Sequence, residues 1–73
     1  DAKTLADSLN EWRIVASGSP KGEDSWLEAR FQIAQIYLKL GNRKEAVTRV
    51  RYLLLTSPPE EPWKSRFEKL LEK

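Results

Sequence analysis

Apolar residues recur three and four positions apart in four stretches of the chain, and residues that start or stop helices bound each stretch. In the first, Ala2, Leu5, Leu9, Trp12 and Ala16 gather on one side of a helix, and Val15 widens the stripe. Asp1 or Thr4 is placed to cap its start. Gly18, suited to a left-handed terminal residue, and Pro20, which cannot continue a helix, mark its end. This predicts a helix over residues 2–17.

The connector of turn formers and charges leads to Ser25, with Glu28 three residues on, the spacing at which the two side chains satisfy each other's orphan N–H groups. The second helix is therefore expected over 26–40. Ala29, Ile33, Ile36, Tyr37 and Leu40 form its core stripe, and Gly41 ends it. Asn42 stands three residues before Glu45, so the same capping can open a third helix at once, over 43–56. So short a connection forces the two helices into an antiparallel hairpin. Ala46, Val47, Val50, Leu53 and Leu54 face inward on the third helix, and Thr56-Ser57-Pro58-Pro59 stops it.

The last stretch places Pro62 in a first helical turn, where its missing N–H costs nothing, with Glu60 and Glu61 complementing the helix dipole. Trp63, Phe67, Leu70 and Leu71 complete a stripe over a helix expected at 60–72. Strand-like alternation is not sustained over four residues anywhere, so the fold class is all-α, with four helices and no sheet.

The helices also match one another. Ala29, Ile33, Ile36 and Tyr37 fall at the spacings of Trp63, Phe67, Leu70 and Leu71 at an offset of 34, while Leu9, Trp12, Val15 and Pro20 match Val47, Val50, Leu53 and Pro58 at an offset of 38. Within residues 27–60 the series Arg30-x2-Ile33-Ala34-x2-Tyr37, Gly41, Ala46-x3-Val50 and Pro58 resembles one tetratricopeptide (TPR) repeat, with departures at Arg30, Ala34 and Val50. Residues 1–20 then resemble the second helix of a preceding unit, and 60–73 the first helix of a following unit or a terminal cap. The resemblance implies stacked antiparallel helical hairpins, an α-solenoid segment of about one and a half repeats. Since about three units are normally needed for independent stability, it also implies a longer array or self-association.

Composition narrows the function. Seventy-three residues make one domain at most, 1–73, burying a smaller share of its surface than longer chains do. The chain begins at Asp1 with no leader pattern and is expected to be a piece of something longer. No apolar run approaches the roughly 18 residues of a membrane span. Without cysteine there is no redox clue to compartment, and localisation is not readable. Residues 1–38 hold four Lys/Arg against six Asp/Glu, net −2, and 39–73 hold nine against five, net +4. The basic half is suited to steering an acidic partner, although such charges also serve simply as solvated faces.

Catalysis has little to work with. There is no histidine or cysteine, no phosphate loop and no metal-ligand spacing, so neither an enzyme nor a cofactor is expected. Glu60-Glu61 and Glu23-Asp24 read as helix-start and loop charges. Binding is better supported. Phe31 and Leu38, seven apart with Gln35 between them, align on a face rotated from the core stripe. By the resemblance this is the concave side that holds a partner protein or peptide, which names Phe31, Gln32, Gln35, Leu38, Lys39, Ser65, Arg66 and Lys69. The alternative is that Phe31 and Leu38 pack on the first or fourth helix. The family's peptide-carboxylate clamp uses Lys and Asn where Gln stands here. Tyr52 and Leu55 are a second surplus pair, suited to contact with another repeat or a second copy. Arg43, Lys44, Arg49 and Arg51 beside Tyr52 would serve nucleic acid, but the interleaved acids and modest net charge argue against it. A protein-interaction or scaffolding module is the expectation, with homo-oligomerisation as the alternative.

Overall fold

The computed structural model describes residues 2–72, with side chains from Thr4 onward. Four helices follow one another: α1 (Ala2–Gly18), α2 (Asp24–Lys39), α3 (Arg43–Thr56) and α4 (Trp63–Leu71). There is no strand among the described residues, so the protein is all-α.

The ends of the helices are where local chemistry departs from expectation. Thr4 lies inside α1, and the Asp1 cap falls outside the described residues. Gly18 stays within the helix, and Gly22 takes the left-handed conformation instead, at φ +90°. There the Glu23 N–H donates to the Pro20 carbonyl at 3.2 Å, closing a turn whose third residue is the glycine. That turn sets Glu23 in an extended conformation as the N-cap of α2, and its carbonyl receives the Leu27 N–H at 2.9 Å. The helix therefore begins at Asp24, two residues before the expected start. Ser25 lies inside it, and the Ser25/Glu28 capping box does not form.

The hinge after α2 behaves as its residues dictate. Gly41 sits at φ +83°; its N–H donates to the Leu38 carbonyl at 3.0 Å, and the Asn42 N–H to the Tyr37 carbonyl at 2.8 Å. These two bonds are the Schellman closure of a helix. Asn42 then caps α3, its side-chain oxygen accepting the Glu45 N–H at 3.3 Å. The reciprocal half is missing, because the Glu45 carboxylate accepts from Arg49 Nε at 2.9 Å.

Before α4 the chain turns through Glu60 to Pro62, and Pro62 is the N-cap, so this helix starts three residues later than its charges suggested. Glu61 still serves the helix start: its carboxylate accepts the Ser65 N–H at 2.7 Å and the Ser65 hydroxyl at 2.6 Å.

The core follows the stripes with four corrections. Leu9 and Ala16 of α1, Ala29, Ile33 and Ile36 of α2, Ala46, Val50 and Leu53 of α3, and Phe67 and Leu70 of α4 are buried. Trp26 and Leu27 join them, because the early start of α2 carries its first turn into the core, and Ala34, next to Ile33, widens the stripe in mid-helix. Val15 is exposed, since α1 meets only one neighbour and buries only a narrow stripe. Leu40 is exposed too, because the helix ends there and the chain turns away. Leu5, Trp12, Tyr37, Val47, Leu54, Trp63 and Leu71 are only half-buried, and the side chain of Ala2 lies outside the described residues.

Packing runs from neighbour to neighbour. α2 packs on α1, α3 and α4, and α3 packs on α4, but the backbone of α1 nowhere comes within 8 Å of α3 or α4. An up-and-down four-helix bundle closes by placing its first helix against its last. Here that closure is absent among the described residues, and the molecule is a flattened body of 32 × 28 × 17 Å.

Candidate partner-binding faces

On the side shared by α2 and α4, the eight residues named for partner binding meet different fates. Phe31 is half-buried, with its ring edge-on to Trp63 at 6.0 Å and to Phe67 at 5.5 Å between centroids. It therefore anchors α4 to α2, and only part of its surface remains for anything else. Leu38 is also half-buried against the core. Gln32 and Gln35 are half-buried, yet neither side chain hydrogen-bonds within the described residues. Their amides retain full donor and acceptor capacity. Ser65 is committed to Glu61. Arg66 is exposed with its guanidinium 4.9 Å from the Trp63 ring centre, so it shares that ring with Phe31. Lys39 and Lys69 are exposed.

The second pair is fully on the surface: Tyr52 is 68% and Leu55 82% exposed. A further apolar residue was not singled out from the sequence, Ile14 of α1, which is 72% exposed. Its position, two residues from Trp12 and therefore far around the helix from the core stripe, was the available signal.

A third feature was not anticipated at all. A cleft of about 470 Å³ opens between α2 and α3, walled by Trp26 and Arg30 on one side and Arg49, Val50 and Tyr52 on the other, with Lys21 at its rim. Arg30 belongs by spacing to the stripe of Trp26, Ile33 and Tyr37, so a cation occupies a position otherwise given to packing. Its Nε is buried and has no hydrogen-bond partner, and its guanidinium lies 5.4 Å from the Trp26 ring centre. Next along the stripe, the Tyr37 hydroxyl receives a hydrogen bond from Arg13 of α1. Its ring lies 5.0 Å from the Arg49 guanidinium of α3. A shallower hollow of about 830 Å³ lies over the connectors, lined by both acids and bases, including Asp24, Glu60, Lys21 and Arg66.

Titration is perturbed at Glu61. Hydrogen bonds from the Ser65 hydroxyl and the Ser65 N–H, aided by Lys64, hold its carboxyl below the usual carboxylate range, while slight desolvation opposes them. Among the described residues no three His, Cys, Asp or Glu side chains converge as metal ligands. Among the described residues no helix is long and apolar enough to cross a membrane.

No family model, no curated protein and no solved structure matches this chain. The likeness of residues 27–60 to a tetratricopeptide repeat therefore rests on the chain's own spacing.

Proposed function

We propose that this chain is a partner-binding helical module built as stacked hairpins of the tetratricopeptide kind, acting through recognition rather than catalysis. The observation that carries the reading is the open packing order, in which each helix meets its neighbours along the stack and α1 does not close on α4. That is how repeat units extend one another, and it leaves helix faces available at the surface.

Recognition on the α2–α4 face would use Leu38 and the remaining edge of Phe31 as apolar contacts, with the unspent amides of Gln32 and Gln35 orienting polar groups. Arg66, Lys39 and Lys69 make its border positive, which favours partners carrying acidic residues. The absence of histidine and cysteine supports a non-enzymatic role. Selection of displayed peptides against the folded chain tests this. Peptides that bind should lose at least tenfold in affinity on Leu38→Asp or Lys69→Glu, with the far-UV circular dichroism unchanged. Binding insensitive to both substitutions would remove this face from consideration.

The exposure of Tyr52 and Leu55 favours a second reading, in which α3 pairs with another copy of the chain. Sedimentation over a concentration series separates the two. A dimer that Leu55→Asp converts to monomer establishes self-association, and a strict monomer throughout the series leaves partner binding as the sole reading.

A further inference from the structure

The cleft between α2 and α3 shares no lining residue with the eight of the α2–α4 face, and its chemistry is more specific. Three cations, Lys21, Arg30 and Arg49, line it, and no Asp or Glu does. Arg49 is already engaged, by the Glu45 carboxylate and the Tyr37 ring. Arg30 is not: within the described residues its guanidinium has only the Trp26 ring, and its Nε–H is buried without an acceptor.

A buried donor left unpaired is costly, and a guanidinium is a rigid fork whose geometry matches a carboxylate through two parallel N–H···O bonds. Trp26, Val50 and Tyr52 give the same cleft an apolar wall, and its volume lies in the range of sites that enclose a small ligand or a few side chains.

We propose that this cleft receives a short acidic peptide segment of a partner protein, with one Asp or Glu carboxylate bound by Arg30 and an adjacent apolar side chain seated against Tyr52 and the edge of Trp26. The charge balance selects the occupant. A carboxylate supplies the acceptor that Arg30 lacks and matches its charge, Lys21 at the rim adds attraction, and the apolar wall disfavours a bare inorganic anion. The segment supplies the acceptor that the fold withholds from Arg30.

The experiment is a titration of the ¹⁵N-labelled chain with the acetylated, amidated peptide Asp-Phe-Glu-Leu-Asp-Gly, followed through backbone amides, the Trp26 indole and the Arg30 Nε–H. A peptide with Asn and Gln in place of the acids is the control. Saturable shifts should centre on Arg30, Trp26 and Tyr52, and the control should not saturate over the same range. Arg30→Gln should weaken binding about tenfold or more, which corresponds to about 1.4 kcal/mol. Lys21→Glu, in an exposed connector, should weaken it as well without touching the core. The proposal is overturned if the neutral peptide binds equally, if no saturable shift occurs, or if affinity survives Arg30→Gln. Shifts confined to Leu38, Arg66 and Lys69 would also overturn it, while leaving the α2–α4 reading intact.

Discussion

Phe67 joins the stability of the chain to its candidate surface within one side chain. It is 1% exposed, it holds Phe31 edge-on at 5.5 Å, and through Phe31 it fixes the edge on which Trp63 and Arg66 are displayed. Removing a buried phenyl ring costs about 3–5 kcal/mol, whereas a chain of this length holds only about 4–11 kcal/mol in total. Phe67→Ala should therefore remove about a quarter of the chain's stability or more, read as a marked fall in the urea midpoint at 25 °C. Leu55→Asp changes a residue 82% exposed and should move the stability of the monomer by no more than about 0.5 kcal/mol. Equal losses in the two variants would contradict the core described above. Arg30 is the opposite case at the same scale. Its sequence spacing placed it among packing residues, but the unpaired Nε could not be read from spacing, because it depends on which acceptors the folded neighbours happen to lack.

The helices themselves were largely legible, because period and turn chemistry are local. Gly41 and Asn42 carry their own instructions: one needs the left-handed conformation, the other offers a side-chain oxygen, and both act within six residues. The start of α2 was misread for an equally physical reason. Ser25 and Glu28 had the spacing of a capping box, but the turn at Pro20–Glu23 with Gly22 had already launched the helix, and burial of Trp26 and Leu27 outweighs one side-chain cap. The start of α4 combines both lessons, since Glu61 serves the helix from outside it. Because the folded carboxyl of Glu61 is held below its ordinary value, its bonds to Ser65 are fully present above the usual carboxylate range and are lost as pH falls through the lowered value. Acid should thus loosen the first turn of α4 before the rest of the molecule responds. Exchange of the Ser65 amide should accelerate relative to that of Val50 as pH drops, after correction for intrinsic rates. Glu61→Gln should abolish that pH dependence. A wild-type Ser65 amide that follows Val50 throughout would show that the carboxylate does not hold the helix start.

At the scale of the whole molecule, the order of packing predicts an order of opening. α2 touches all three other helices, so its central amides open only when that packing is broken, whereas α4 packs against α3 and α2 only. With nine residues, α4 falls well below the dozen or so at which isolated helices become even marginally stable, so Phe67 and Leu70 must hold it by packing. Its face on the core could be read from the sequence. Its place against α2 and α3 was implied only by the repeat resemblance, since a closed bundle and an open one use the same stripes and differ only in whether α1 meets α4. Native-state hydrogen exchange in low urea should therefore show two classes of opening. Amides of α2 around Ile33 and Ala34 should exchange only with global unfolding, while those of α4 open at a lower free energy with a smaller urea dependence, as a unit. The partner-binding proposal adds a consequence, because Trp63, Arg66 and Lys69 form one wall of the α2–α4 face and the wall would move with the helix. A peptide bound there should raise α4 protection toward that of α2, whereas a peptide held in the Arg30 cleft should protect mainly α2 and α3. If α4 amides in the free chain are already as protected as those of Ile33, the molecule closes more tightly than an open stack permits. The repeat-like reading of its architecture would then fail along with the order of opening.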